Sequence, residues 1–310
     1  MKNAAAPKSK RGPLKTVFLD IPHGLFSFSV IVVNTAFWVV PVLVGIAIKL
    51  AVPNARWRRF WGIAVDKIAS CWAMFNLVFA RHTMETKWIF PRIDGLKPDG
   101  CYLVIANHQS GVDILALQML LTGKLPFLKF FIKKELLFVP VMGLAWWALD
   151  YPFMTRYSKE FLEKHPHLKG RDIEITRRAC RRFGPVPVAI VNFLEGTRFT
   201  PQKYRRQKSP YRHLLKPKAG GIGYVLTSMG ERVDAIIDVT IIYPEGIPSL
   251  VDFLCGRIGT VELLAEKIPV TKELLGDYSA DEAYQERFRS WVNGVWERKG
   301  DLMQSRLCGR

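Results

Sequence analysis

The 310 residues are 49% apolar and 23% charged, so the chain can bury a sizeable core and lacks the composition of a disordered polymer. Lys and Arg number 45 against 27 Asp and Glu, a formal charge of +18, which calls for an anionic partner: a phosphate-bearing substrate, an anionic membrane surface or nucleic acid. Five cysteines (Cys71, Cys101, Cys180, Cys255 and Cys308) include no closely spaced pair, which argues against a disulfide framework or a zinc ribbon and fits a reducing compartment.

Residues 1–23 form a basic tail. From Gly24 to Ile48 no ionisable residue occurs. At about 1.5 Å per residue, such a run can cross a hydrocarbon core of roughly 30 Å. It is too long for a signal peptide and lacks a small-residue cleavage site. Phe60 to Ala80 is also apolar but carries Asp66 and Lys67. Charges at mid-span are costly, so this stretch is expected to lie in or dip into the interface. Lys49, Arg56, Arg58 and Arg59 stand between the two segments. A spanning hairpin would carry them to the far side, against the positive-inside tendency, whereas a shallow or re-entrant pair would not. Residues 24–87 are therefore expected to anchor the chain in a membrane, and 88–310 to form the catalytic domain.

Beyond residue 88, short β-branched runs alternate with helical stretches. Strands are predicted at Cys101–Ala106, Val186–Phe193 and Ala235–Tyr243. Helices are predicted from near Gly111, over Ile173–Phe183 and over Ala219–Met229. Tyr284, Phe288, Trp291, Val292, Val295 and Trp296 recur at helical spacing and mark a closing amphipathic helix. The segment Thr200–Pro217, broken by Pro201, Pro210 and Pro217, reads as a basic loop. The expected fold is α/β: a mixed, largely parallel sheet flanked by helices, behind an N-terminal membrane-embedded helix pair. Charge is concentrated at 155–218, with 17 Lys and Arg against 5 Asp and Glu.

Asn107-His108-Gln109-Ser110-Gly111-Val112-Asp113 follows the carboxyl end of the first of these strands, where open α/β sheets place their sites. A turn that folds Asp113 back onto His108 would orient the imidazole and free its other nitrogen to take a proton. Otherwise, His108 is a loop residue and Asp113 a first-turn acid favoured by the helix dipole. A second motif, Phe193-Leu194-Glu195-Gly196-Thr197-Arg198, ends another strand and should emerge on the same edge. Glycine permits close approach of a ligand and arginine offers forked donors to phosphate.

These two motifs in this order resemble the glycerolipid acyltransferase family, best known for the 1-acylglycerol-3-phosphate acyltransferases. Lys133-Lys134-Glu135-Leu136 with Pro140 and Gly143 resembles the family's second block, and Tyr151–Arg156 its arginine segment. Ile236–Pro244 stands where its fourth block belongs. The resemblance runs from about Leu96 to Pro244 and is nearest to the membrane-bound subgroup of lysocardiolipin-type enzymes and a bacterial inner-membrane relative. Leu194 departs from the family's usual proline, and Phe-Thr follows Arg198 where serine is commoner.

The resemblance implies that His108 acts as general base with Asp113 as its orienter. The substrate-binding residues it implies are Lys134, Arg156, Glu195, Gly196, Thr197 and Arg198, with the three cations on the acceptor's phosphate. A lysophospholipid hydroxyl would attack an acyl thioester, carried by acyl-CoA or acyl carrier protein as co-substrate, and no cofactor is implied. Backbone N–H groups near Gly111 could stabilise the oxyanion. An apolar groove for the acyl chain should open near a cytoplasmic (inner) membrane, with the catalytic domain on the cytosolic side.

Other chemistries fit less well. Ser110 is the one serine beside the site, and His-Gln-Ser-Gly is not the nucleophile elbow of α/β-hydrolases. A basic membrane-associated protein that binds nucleic acid or lipid without catalysis would explain the charge, but no nucleic-acid-binding motif accompanies it. The His165-Pro-His167 pair lacks Cys or acidic partners at metal-ligand spacing.

Overall fold

The computed structural model describes residues 19–139, 142–154, 180, 183 and 186–309. Two long helices come first. Helix α1 (Ile21–Ala51) carries Pro22 in its first turn, where the missing N–H costs nothing. Helix α2 (Ala55–Thr83) is capped by Asn54, whose side chain accepts from the amides of Arg56 and Trp57. The helices run antiparallel. Asn34 donates to Asn76 Oδ1 (2.9 Å), Trp72 Nε1 to Thr35 Oγ1 (3.1 Å) and Trp57 Nε1 to the Ile48 carbonyl (2.8 Å).

Both ends of this hairpin are fastened to the rest of the chain. At the open end, Arg257 Nε lies 3.0 Å from Asp20 Oδ2, and His23 bonds through its ring nitrogens with the Leu254 and Thr83 carbonyls. Near the turn, Lys49 pairs with Asp150 at 2.8 Å, and Asp66 with Lys129 at 3.1 Å. The hairpin therefore lies along the domain instead of projecting from it. Its outer surface presents Leu25, Phe28, Val33, Phe37, Val40 and Val44. Asp66, the awkward charge of the second apolar segment, faces the domain.

The remaining elements in chain order are β1 (Lys87–Ile89), β2 (Cys101–Ala106), α3 (Val112–Leu121), β3 (Leu128–Phe130), β4 (Ile132–Lys133), α4 (Met142–Ala148), β5 (Phe153–Met154), β6 (Val188–Phe193), α5 (Pro201–Gln207), α6 (Gly220–Met229), β7 (Ala235–Ile242), α7 (Leu250–Leu254), β8 (Thr260–Ile268) and α8 (Glu282–Cys308). The main sheet has the order β1-β8-β7-β2-β6-β3. Strands β7, β2, β6 and β3 are mutually parallel. Strand β8 runs antiparallel to β7, with β1 parallel to it, which makes the sheet mixed and largely parallel. Strands β4 and β5 pair separately.

Every residue of β2 and β7 is buried, as expected for strands covered on both faces. Val104, Val191 and Ile237 face a core shared with Val42, Val65 and Leu117, from the hairpin and α3. Leu103, Ile190 and Ile236 face Ile222, Phe288, Val292 and Trp296, from α6 and α8. Lys299 of α8 is fully buried: its ammonium lies 2.7 Å from Asp238 Oδ1 and donates to the Val239 carbonyl and Thr240 Oγ1, tying α8 to β7.

One expectation is corrected. The stretch read as a basic loop at Thr200–Pro217 contains helix α5, because Thr200 caps it and Pro201, read as a breaker, occupies its first position. The helix expected over Ile173–Phe183 lies outside the described residues except for Cys180 and Phe183, as do His165 and His167.

Candidate active site

Strands β2 and β6 end side by side, with Ala106 in register with Phe193. The chain leaves β2 through Asn107, whose side-chain amide donates to the Ile241 carbonyl (2.9 Å) and accepts from its N–H (2.8 Å). A carboxamide can do both and so imitates one more pair of ladder bonds, holding the exit of β2 against β7. His108 comes next. Its Nδ1 lies 2.8 Å from Asp113 Oδ2, and its ring stacks on Phe193 with centroids 4.1 Å apart. These contacts fix the ring plane and leave Nε2 without a partner among the described residues, on a partly exposed side chain.

Asp113 has no exposed surface. Its Oδ2 also accepts from the Gln109 amide (2.6 Å) and the Ser110 amide (2.9 Å), and its Oδ1 from the Tyr243 hydroxyl (2.6 Å). Four donors thus surround one buried carboxylate, so neither of its oxygens is left without a partner. Burial and the Asp113 charge hold the Tyr243 phenol well above its ordinary pKa, so it remains a donor. The Ser110 hydroxyl donates to the Pro248 carbonyl (2.6 Å) and accepts from the Val112 amide, so it is committed to the turn. Of the expected oxyanion donors, the Gln109, Ser110 and Val112 amides are occupied in these bonds. Open space lies over Gly111, where an added Cβ would meet nothing within 4 Å.

The second motif folds across the first. The Leu194 amide donates to the Ala106 carbonyl at 3.2 Å, a bond the family's usual proline could not make, and the Phe199 amide donates to the His108 carbonyl at 2.7 Å. Gly196 has φ +67°, a conformation that favours glycine. Glu195 is fully buried: Oε1 accepts from the His108 amide (3.1 Å) and Oε2 from the Leu215 amide (3.3 Å). Burial pushes its pKa up to about 8 against the opposing pull of those two amides. The carboxyl therefore faces backbone, not the open side of the site. Thr197 Oγ1 accepts from Lys203 Nζ at 2.7 Å, and the same ammonium donates to the Arg198 carbonyl (3.0 Å). The Arg198 side chain is exposed.

Lys134 is exposed at the start of a short 3₁₀ turn (Lys134–Phe138), beyond the carboxyl end of β3, on the same side of the sheet as His108. Arg156 lies outside the described residues. Sequence reasoning missed Tyr243 as a partner of Asp113, Asn107 as a clamp and Lys203 as a tie. For Tyr243 the available signal was its place in Ile236–Pro244, the stretch that resembles the family's fourth block, just past the end of β7. Between the hairpin and α4 lies a narrow cleft of about 40 Å³ lined by Trp38, Val42, Trp72, Phe127, Trp146 and Tyr151.

Residues 90–244 match the family model described as acyltransferase. Mouse 1-acyl-sn-glycerol-3-phosphate acyltransferase gamma is 27% identical over 215 residues, which cover 65% of this chain and 52% of the relative. Lysocardiolipin acyltransferase 1 of Gallus gallus is 23% identical over 286 residues, covering 84% and 68%. The chain spans about half the length of the first of these relatives. Among solved structures, the 1-acyl-sn-glycerophosphate (LPA) acyltransferase PlsC of Thermotoga maritima superposes with a TM-score of 0.55 at 16% identity, over 92% of this chain and 96% of that one.

Proposed function

The chain belongs to the acyltransferase family, and from that premise we propose that it transfers a fatty acyl group from a thioester to the free hydroxyl of a lysophospholipid. The observation that carries this reading is the His108–Asp113 pair, 2.8 Å apart at the carboxyl edge of the parallel strands, with Nε2 unengaged and Ser110 spent on structure. In the reaction, Nε2 takes the acceptor's hydroxyl proton as the oxygen attacks the thioester carbonyl. Asp113 stabilises the imidazolium that forms. The C–S bond then breaks and the thiolate leaves, recovering the proton from His108. A thiolate is a good leaving group, so no covalent acyl-enzyme is needed.

Lys134, Arg156 and Arg198 hold the acceptor's phosphate, and Gly196 lets it approach the backbone. Glu195 acts at one remove, as a positioning residue that seats the His108 amide, and Thr197 is set by Lys203. The Gly111 amide is the donor left for the oxyanion. The donor is acyl-CoA or acyl carrier protein, either of which suits the basic surface around Arg198, Arg205 and Arg206. Both are cytosolic, which puts the catalytic domain on the cytosolic face of the membrane, with the hairpin's apolar side in the bilayer.

The test is acyl transfer from acyl-CoA to lysophosphatidic acid in detergent. His108→Ala is expected to lower kcat by about 10²–10⁴-fold, the range of general-base catalysis. Ser110→Ala should cost much less. Retained activity in the first variant and total loss in the second would instead require an acyl-enzyme.

A further inference from the structure

A cavity of about 530 Å³ lies at the turn end of the hairpin, apart from the active site. Its walls are the end of α1, the first half of α2, α4 and the entry to β6 at Val186-Pro187-Val188. His108 follows the carboxyl end of β2, level with Phe193, whereas this cavity meets β6 at its amino end. Strand residues rise about 3.3 Å each, so roughly 16 Å of strand separates the two places.

The lining combines two kinds of surface. Ile46, Leu50, Val65, Trp147 and Leu149 are apolar; Lys49, Arg58, Arg59, Asp66, Lys129 and Asp150 are charged. Both acids are already matched, Asp150 to Lys49 and Asp66 to Lys129. The remaining Lys129 bond goes to the Leu149 carbonyl at 2.9 Å. Arg58 and Arg59 are exposed, and their guanidiniums make no ion pair or hydrogen bond among the described residues. Two free guanidiniums therefore stand on the rim of an apolar-walled hollow. Around it, Val44, Leu50, Phe60, Leu144 and Trp147 are exposed, continuing the apolar side of the hairpin.

We propose that this cavity binds the phosphate headgroup of an anionic glycerophospholipid, with Arg58 and Arg59 on the phosphate and an acyl chain along Ile46, Leu50 and Trp147. The volume falls within the range of small-molecule sites, and the forked donors of arginine match phosphate oxygens. A water-soluble phosphate would gain nothing from the apolar wall, which is why the lipid is the occupant. The site is a second lipid-binding place, distinct from the one at which acceptor is acylated.

Equilibrium binding of short-chain phosphatidylglycerol to the detergent-solubilised full chain tests this. Arg58→Gln with Arg59→Gln should weaken binding by about tenfold or more. Lys67→Gln with Arg81→Gln, which removes the same charge from exposed positions of α2 outside the cavity, should change it less than about twofold. Gly62→Phe keeps every charge but fills the hollow, since a Cβ at Gly62 already meets Lys49 at 3.9 Å. It should abolish binding. Acyl transfer to detergent-dispersed lysophosphatidic acid, measured on the same samples, should be unchanged and reports that each variant is folded. Equal weakening by both charge pairs, unaltered binding to Gly62→Phe, or displacement of the lipid by millimolar inorganic phosphate would overturn the site. So would a changed chain-length preference in the transfer reaction, because the cavity would then belong to the acyl substrate.

Discussion

Asp113 is surrounded by donors from three directions, and the one outside its own turn is the Tyr243 hydroxyl at 2.6 Å. Removing it leaves one buried carboxylate oxygen without a partner, a loss of about 1–3 kcal/mol. Tyr243→Phe is therefore expected to lower kcat by roughly 5–100-fold with little change in KM, since the phenol is buried against the orienter. A rise in KM with kcat intact, in steady-state transfer assays, would move Tyr243 to the binding surface. Glu195 offers a second residue-level test. Its folded-state pKa of about 8 stands above the ordinary 4.5 because burial disfavours the charge. Between these values the folded chain holds a proton that the unfolded chain has lost, so stability falls as pH rises from about 4.5 to 8. Thermal unfolding in detergent should show Tm dropping across that window. Glu195→Gln should flatten the slope, and, because its amide NH₂ meets a backbone N–H at one end, lower Tm at every pH.

Among elements, the hairpin packs closely against the end of α7: a Cβ added at Gly24 would come within 2.7 Å of Cys255 Sγ, the residue that follows that helix. Gly24→Val must push α1 away from α7, exposing a thiol that is now buried. In a background with Cys71→Ser and Cys308→Ser, maleimide labelling of Cys255 should accelerate at least about tenfold; an unchanged rate would mean that the two helices part freely. Elements were legible from sequence where one interaction dominates. CYLVIA is a run of six apolar residues, and buried parallel strands look like that. The amphipathic stripe of α8 was plain, although the helix runs on to Cys308 beyond the last aromatic. Strands β1 and β3 are three residues each and exist through pairing with β8 and β6, which no local pattern announces. Strand β8 carries Glu266 and Lys267 in its partly open last half and a buried Glu262 in its first, so its sequence lacks the continuous run of β2. The site divides in the same way. Asn107, His108 and Asp113 lie within seven residues, whereas Tyr243 is 130 residues away from the carboxylate it serves and reaches it only through the parallel pairing of β2 with β7.

For the whole molecule, the decisive fact is that both ends of one helical hairpin touch the same domain. Helix α1 has 31 residues, about 46 Å at 1.5 Å each, more than a hydrocarbon core of roughly 30 Å requires. Length and hydropathy alone would let both helices cross. A crossing hairpin, however, would carry its turn to the far side, separating Lys49 from Asp150 and Asp66 from Lys129. It would also carry Arg56, Arg58 and Arg59 to the far side, against the positive-inside tendency. Lying flat would remove both penalties: the apolar stripe from Leu25 to Val44 would enter one leaflet while the cations at the turn stayed with the headgroups. On this geometry the turn and the C-terminal helix occupy the same side of the membrane. With Cys71 replaced by serine and a new thiol introduced by Pro53→Cys, a membrane-impermeant maleimide added to sealed vesicles should label position 53 and Cys308 together from one side and neither from the other. Labelling of the two from opposite sides would establish a spanning hairpin and with it the loss of both turn-end ion pairs in the membrane.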